Sequence, residues 1–163
     1  MNKQKIEIED LIKKLELIPH PEGGFYRETY RSKETCLNNS RNLKTVIYFL
    51  LRSDDISHFH RIKSDEIWYY HAGSPLIVHS IDQNGLYTEQ KVGINFENNE
   101  IPQYLVPKNT IFGSSVLEKD TYSLVSCSVS PGFDFNDFEL FKRKDLLTKY
   151  PQHTDIINRM TLE

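Results

Sequence analysis

The chain has 163 residues, of which 38% are hydrophobic and 26% charged, and its net charge is −3. This length fits a single domain, which can bury a core without disulfides or a structural metal. The lysines and arginines are scattered, and no apolar run approaches the roughly 20 residues needed to span a bilayer. We therefore expect no nucleic-acid partner and no membrane partner.

The N-terminal segment mixes charges into its apolar positions, so no secretory signal is predicted. The two cysteines, Cys36 and Cys127, lie far apart and match no metal-binding or redox spacing. Cys127 stands in an apolar run, which predicts a buried, reduced thiol. Together these features predict a cytoplasmic protein.

The first predicted element is an amphipathic helix over about residues 5–17, followed by Pro19 and Pro21, which should stop it. Four apolar residues recur there at the spacing of one helix face. They are Ile8, Leu11, Ile12 and Leu15.

From residue 23 to about residue 140 the chain resolves into short runs of aromatic and β-branched residues separated by turns, the pattern of a mainly β protein. "DQNG" at 82–85 predicts a tight turn between two strands. Helical spacing returns over about residues 143–160, divided by Pro151. Strands without crossover helices between them predict one antiparallel sandwich or barrel domain with helical flanks.

The segment "SHFHRIKSDEIWYYHAGSP" carries most of the candidate chemistry. Side chains alternate along a strand, so His58 and His60 should share one face of their strand. Glu66, Trp68 and Tyr70 should likewise share one face of the strand that follows. If the two strands form a hairpin, both sets face one hollow. Such a group could bind a metal, or transfer protons beside an aromatic platform.

Structural interpretations of the same residues stay open. His60 could simply form a hydrogen bond within a strand pair. Repulsion between Asp65 and Glu66 could raise one of the two pKa values. Alternatively, Asp65 caps the turn and Glu66 pairs with Arg27 or Arg61.

Two flanking segments complete the candidate set. In "HPEGGFYRE", Gly23 and Gly24 indicate a close backbone approach or an unusual backbone geometry. Arg27 is either a clamp for an anion or a solvated charge at a sheet edge. "PGFDFNDFEL" alternates aromatic and polar residues, which favours a plug or turn over the barrel mouth.

The H-x-H pattern, the following glutamate and the later glycine resemble the first motif of the cupin superfamily. Metal-binding cupins take two histidines and a glutamate from that motif, and a third histidine from a second motif that begins Pro-x-Gly. Here Asn109 replaces that glycine, Phe112 stands in place of the third histidine, and five residues separate His60 from Glu66. We therefore expect no cofactor, with a divalent metal held by His58, His60 and Glu66 as the alternative.

Three long motifs, "LIPHPEGGFYRETYRS", "FHRIKSDEIWYYHAGSPL" and "SLVSCSVSPGFDFNDFEL", resemble a family of small cupins first catalogued as a domain of unknown function. The resemblance covers about residues 11–150. It implies a cupin-type double-stranded β-helix, or jelly-roll barrel, with an N-terminal helix and short C-terminal helices. It also implies a likeness in fold to sugar-nucleotide epimerases and seed-storage globulins, and a homodimer. The positions that recur in the family correspond here to Glu22, Gly23, Gly24, Arg27, His60, Asp65, Glu66, Trp68, Gly73, Pro131, Gly132, Phe133 and Asp137.

The resulting hypothesis is a protein that binds a small polar or carbohydrate-like ligand in the barrel, with epimerase- or isomerase-type chemistry that needs no metal. His60 and Glu66 are the expected catalytic pair. The expected ligand-binding residues are Arg27, Tyr48, Trp68 and Tyr70. The alternatives are a binding module without catalysis and a metal-dependent enzyme.

Overall fold

The computed structural model describes residues 3–38 and 40–163, which fold mainly into two six-stranded β-sheets. Strands are numbered along the chain. The first sheet contains, in spatial order, β1 (Ile18–Pro19), β2 (Phe25–Arg31), β3 (Thr45–Arg52), β11 (Tyr122–Ser130), β5 (Asp65–Gly73) and β9 (Gln103–Val106). The second contains β12 (Glu139–Leu140), β4 (Ile56–Arg61), β10 (Ile111–Val116), β6 (Leu76–Ile81), β7 (Tyr87–Val92) and β8 (Glu100–Ile101). Neighbouring strands are antiparallel except β7 and β8, which confirms the predicted mainly β jelly-roll barrel.

The space between the sheets is filled by apolar side chains that alternate along the strands. Phe49 and Leu51 of β3 point inward and pack with Trp68, Phe112 and Val125, all essentially inaccessible to water. Each such side chain contributes about 1.5–3 kcal/mol when buried. Trp68 packs edge-on against both Phe49 and Phe112, so these rings form a solid layer across the middle of the barrel.

The N-terminal helix α1 spans Lys3–Lys14 and ends earlier than the predicted residue 17. The cause is the backbone of Glu16, which adopts a left-handed conformation with φ of 53°. The amide of Leu17 then donates to the carbonyl of Ile12, the bond that closes a Schellman motif. The helix therefore stops before the two prolines reach it, and it packs on the outer face of the first sheet beside Leu50.

Two short helices, α2 (Arg143–Lys149) and α3 (Thr154–Met160), cover the outer face of the second sheet. Pro151 begins the single 3-10 turn between them, as predicted. Leu146 and Ile157 are fully buried against that sheet. No helix in the described part of the chain is long and apolar enough to cross a membrane.

The predicted hairpin between the His58–His60 strand and the Glu66–Tyr70 strand is wrong. β4 belongs to the second sheet, where it pairs with β10 and β12, whereas β5 belongs to the first, where it pairs with β11 and β9. The short connection at residues 62–64 thus carries the chain from one sheet to the other. Residues 60 and 66 face each other across the barrel instead of lying side by side.

The expected alternation also fails in β4, because this strand contains a β-bulge. His60 pairs with Phe112 and Ser57 pairs with Ser114, so three residue steps in β4 match two steps in β10. The extra residue places Ser57, not His58, on the same face as His60. The prediction that His58 and His60 share a face is therefore wrong.

Candidate functional site

A cavity of about 640 Å³ opens at the end of the barrel where β3 and β5 begin and where β4 and β11 end. We call it the barrel cavity. Its volume suits a small organic molecule. The side chains discussed below that line it are His20, Glu22, Tyr26, Arg27, Glu28, Arg31, His60, Glu66, Phe133, Asp134 and Phe135.

Glu22 reaches this cavity because the turn before β2 packs tightly against β4. Gly23 has a φ of 113°, and a Cβ atom there would lie 1.9 Å from the carbonyl oxygen of Ile56. The amide of His58 donates to the carbonyl of Glu22 at 2.8 Å, which fixes the turn to the strand. Close backbone approach at Gly23, predicted from the sequence, is confirmed, and it directs the Glu22 side chain inward.

Glu22 and His60 form the central buried contact, with 3.0 Å between carboxylate Oε2 and ring Nε2. The other ring nitrogen, Nδ1, lies 2.7 Å from the carbonyl oxygen of His58. A carbonyl only accepts, so Nδ1 carries a proton, and Nε2 must carry a second one to donate to a carboxylate. Ser57 donates to the other oxygen of Glu22 at 3.0 Å. The geometry therefore describes an imidazolium–carboxylate pair.

The electrostatics agree with this assignment. Burial opposes the charge on Glu22, but attraction to His60, with hydrogen bonds from His60 and Ser57, overcomes burial and lowers the Glu22 pKa to about 2. Burial likewise opposes the charge on His60, but the Glu22 carboxylate outweighs it and raises the His60 pKa above 6.5. Both shifts favour the charged forms of the pair, in agreement with the hydrogen-bond geometry.

Glu66 is a second buried carboxyl of the cavity, and no salt bridge joins it to a cation in the described part of the chain. It is 8% exposed, and burial followed by repulsion from Glu22 raises its pKa to about 7, against weaker opposition from His60 and a hydrogen bond with Cys127. Cys127 is a buried, free thiol, as predicted. Glu66 is therefore divided between its protonated and ionised forms near neutral pH.

Neither arginine proposed as a partner of Glu66 contacts it. Arg27 donates to Glu16 at 2.7 Å and to the Leu15 carbonyl, and Arg61 donates to Glu139 at 2.6 Å. The alternative in which Asp65 caps its own turn is wrong, because its carboxylate instead accepts a hydrogen bond from the amide of Lys108, 43 residues further along the chain.

His20 lies beside this acidic group as a neutral ring. Its Nδ1 accepts a hydrogen bond from the amide of Glu22 at 3.1 Å, so the proton is on Nε2, and burial lowers the His20 pKa. The ring packs edge-on against Tyr26 at 4.5 Å and reaches Phe135 at 6.2 Å.

Residues 131–138, which we call the mouth loop, supply the outer aromatic wall. Phe133 and Phe135 line the cavity, their centroids 4.8 Å apart at nearly a right angle, and Phe138 packs on His60 at 5.3 Å. Arg41 holds the loop by pairing with Asp137 and by donating to the carbonyl of Gly132. The loop lies over the barrel mouth, and its rings also form part of the cavity.

Of the ligand-binding residues predicted from the sequence, the structure brings only Arg27 to the cavity, at its rim. Tyr48 lies on the outer face of β3, beside His71 and the helix α1 cluster. Trp68 is enclosed in the core layer, and the Tyr70 hydroxyl donates to the Gly73 carbonyl. The alternation of side chains along a strand predicts which of them point into the barrel. It does not predict which end of the barrel is filled by packed side chains.

The residues of the alternative metal site do not come together. Among the residues that the structure describes, no group of three or more His, Cys, Asp or Glu side chains is placed to hold a metal ion. His58 does not line the cavity, and its Nδ1 contacts the Glu22 carbonyl at 2.7 Å. Phe112, at the place of the third histidine of metal-binding cupins, packs against His60 at 4.2 Å. The set of His58, His60 and Glu66 thus does not fit a metal ion.

Sequence reasoning gave no chemical role to Glu22, His20 or Ser57. The available signal was "HPEGG", in which an acid stands between a proline and two glycines. A turn that requires glycine approaches another backbone closely, so a charged residue within it is a candidate for burial. The sequence does not say which backbone it approaches.

Three known proteins are similar to this chain over most of its length. A hypothetical protein from Leishmania major is 45% identical, with a TM-score of 0.89, and the match covers 95% of this chain and 98% of that one. A Shewanella oneidensis protein is 49% identical at the same TM-score, with 94% and 96% covered. An uncharacterised protein of Saccharomyces cerevisiae is 32% identical over 157 residues, covering 86% of this chain and 78% of the relative.

A more distant structure shares the fold alone. Bacillus subtilis oxalate decarboxylase is 17% identical with a TM-score of 0.57, and the match covers 87% of this chain and 36% of that enzyme. The family model described as "Cupin superfamily (DUF985)" matches residues 9–141, which contain all twelve strands and the second half of helix α1. Because the family model and the relatives match most of the chain and the fold agrees, the chain belongs to the DUF985 family of the cupin superfamily.

Proposed function

We propose that this cupin binds a small polar organic molecule in the barrel cavity and that Glu66 transfers a proton to and from it. The observation that carries the proposal is the state of Glu66, a buried carboxyl that lines the cavity and has a pKa of about 7. A group whose pKa lies near the working pH is suited to general acid–base catalysis.

In this proposal His60 has a supporting role instead of the acid–base role expected from the sequence. Both its ring nitrogens are already occupied, one by a carbonyl and one by Glu22. Its fixed positive charge can stabilise negative charge that develops on a ligand beside Glu66, because the pair of His60 and Glu22 is buried where the dielectric constant is low.

The reaction class that suits one such carboxyl is isomerisation between adjacent carbons. The Glu66 carboxylate removes a proton from the carbon beside a carbonyl, and the electron pair of that C–H bond forms an enolate. When the carbon that lost its proton bears a hydroxyl, the hydroxyl proton moves to the original carbonyl oxygen and the protonated Glu66 delivers its proton to the original carbonyl carbon. The carbonyl is thereby restored on the adjacent carbon and Glu66 is left ionised. Epimerisation would need a second proton donor on the opposite face of the ligand.

Deuterium incorporation tests the proposal. The protein is incubated in D₂O with a panel of aldoses, ketoses and amino sugars, and loss of the C–H signal beside the carbonyl is followed by proton NMR. We expect Glu66→Gln to lower the exchange rate at least about 100-fold. Asp65→Asn, which removes the neighbouring exposed acid, is the matched control and should keep wild-type exchange.

Full exchange by Glu66→Gln would contradict the assignment. Tight binding of a panel member without any exchange would favour the alternative, a binding module without catalysis. Metal content is tested separately, by elemental analysis of protein purified without a histidine tag. A stoichiometric metal, far above about 0.1 equivalent per chain, would favour the metal-dependent alternative.

We also propose a homodimer in a reducing compartment such as the cytoplasm. The outer edge of β2 beyond its two-residue pairing with β1 offers unpaired backbone groups, which favour strand addition by a second copy. Both cysteines are free, which suits reducing conditions.

A further inference from the structure

We propose that the ligand of the barrel cavity is an organic cation, a small polar molecule that carries an ammonium group. The inference rests on the proposed function in that it concerns the same cavity, and it names the class of ligand. Five acidic side chains line the cavity against two arginines. The acids are Glu16, Glu22, Glu28, Glu66 and Asp134.

Both arginines at the rim are already neutralised. Arg27 binds Glu16 at 2.7 Å. Arg31 binds Glu28 through two nitrogens, each at 2.8 Å, and its remaining donors reach Asn42 and the carbonyl of Phe133. An incoming carboxylate or phosphate would therefore compete with acids that already contact both guanidinium groups.

Inside the cavity the Glu22 charge is balanced by the His60 imidazolium. Two carboxyls then remain. Glu66 is buried and repelled by Glu22, and it accepts a hydrogen bond from the thiol of Cys127. Asp134 accepts a bond from the amide of Asn136 and lies near Arg31, which is already engaged by two bonds to Glu28. The charge left after these pairings is negative, at the buried end and at the rim.

Aromatic rings line the same cavity as these two acids. Tyr26 and His20 form one nearly perpendicular pair, and Phe133 and Phe135 form another, with centroids 4.5 Å and 4.8 Å apart. The negative faces of such rings attract cations, and several rings around one cavity are the usual receptor for ammonium groups. Neutral sugars also stack on aromatic rings, but uncompensated carboxylates beside the rings favour a positively charged ligand over a neutral one of the same shape.

The test is saturation-transfer NMR on the full chain, with a fragment set that contains equal numbers of size-matched ammonium, neutral and carboxylate compounds. Choline and its uncharged isostere 3,3-dimethylbutan-1-ol belong to the set, because they differ only in the charged atom. We expect ammonium compounds to predominate among the hits and choline to bind about tenfold more tightly than the isostere.

Variants then assign the hits to the cavity. Glu66→Gln and Asp134→Asn should each weaken choline binding several-fold, whereas the matched control Glu97→Gln, an exposed acid outside the cavity, should leave it unchanged. Asp134 lies at the rim, so its variant tests the charge even where Glu66→Gln is less stable.

Four outcomes would each overturn the inference. The hits could be mainly neutral or anionic compounds, or there could be no hits. Choline and its isostere could bind equally well, or neither variant could weaken the binding of cations. These outcomes are distinct from failure of the proposed function. If a neutral sugar exchanges its proton and the exchange depends on Glu66, the proposed proton transfer holds and the cationic ligand is rejected. If cations bind without any exchange, the cationic ligand holds and the proposed proton transfer is rejected.

Discussion

The buried pair of Glu22 and His60 sets the charges that Glu66 meets inside the cavity. Because Glu22 keeps His60 protonated, Glu66 meets one negative and one positive neighbour, both fixed. The sequence allowed the prediction that His60 and Glu66 project into one hollow, and both line the barrel cavity. It did not allow a prediction of the partner, since the burial of Glu22 depends on a turn that packs against a strand more than thirty residues away.

The first prediction concerns the protonation of His60. Nitrogen NMR at pH 7 should show both ring nitrogens protonated in the wild type. Glu22→Gln removes the partner charge, so the ring should become neutral, and the free energy of unfolding at pH 6 should fall by about 3 kcal/mol. Ser57→Ala, which removes a hydrogen bond but no charge, should cost about 1 kcal/mol. A wild-type ring that titrates near 6.5 would contradict the ion pair.

The second prediction concerns Glu66 and pH. The pKa of Glu66 rises from 4.5 to about 7 on folding, so the folded protein holds a proton that the unfolded chain releases. This term costs nothing below pH 4.5 and reduces the free energy of unfolding as the pH rises through 7, by on the order of 3 kcal/mol. Glu66→Gln should therefore melt several degrees above the wild type at pH 8 and close to it at pH 5. Equal differences at both pH values in thermal melts would reject the raised pKa.

At the level of elements, runs of aromatic and β-branched residues correctly predicted several strands, because residue composition is a local property. β3, β5 and β6 coincide with the runs "TVIYFLL", "EIWYYHAG" and "PLIVHSI". Pairing is not local, so the sequence could not show that β4 and β5 lie in opposite sheets. The bulge in β4 was equally invisible, since one extra residue in a strand leaves the residue types unchanged.

The third prediction concerns the turn that carries Glu22. Gly23→Ala places a methyl group 1.9 Å from a backbone oxygen that cannot move without disturbing β4, so the free energy of unfolding should fall by about 3 kcal/mol or more. Gly85→Ala is the matched control. Its φ is also positive, at 80°, but the new methyl group meets only the ring of Tyr150 at 3.1 Å, and about 1 kcal/mol is expected. Equal losses in urea unfolding would mean that the close approach to β4 is unimportant.

For the molecule as a whole, the mainly β barrel followed from short strands without crossover helices, and the family resemblance gave its type. What neither could give is the distribution of packing and space within the barrel. The ring of Phe112 and the indole of Trp68 fill its middle, so the cavity occupies one end.

The fourth prediction concerns assembly. Sedimentation equilibrium should give a species of twice the 19.2 kDa chain mass at micromolar concentration. Thr29→Pro in the exposed part of β2 should shift the equilibrium towards the monomer, because proline on an edge strand prevents strand addition. A chain that sediments as a monomer at every concentration would reject the dimer.

The layer of Trp68, Phe112 and Phe49 has a consequence for substrate length. Trp68 follows Glu66 by two residues in β5, so in the proposed reaction a molecule in the cavity cannot extend past this packed layer and presents only its end to Glu66. Terminal groups of a longer chain would then react while interior ones stay out of reach. The cavity should accordingly accept larger substituents on a ligand the further they lie from the atom next to Glu66.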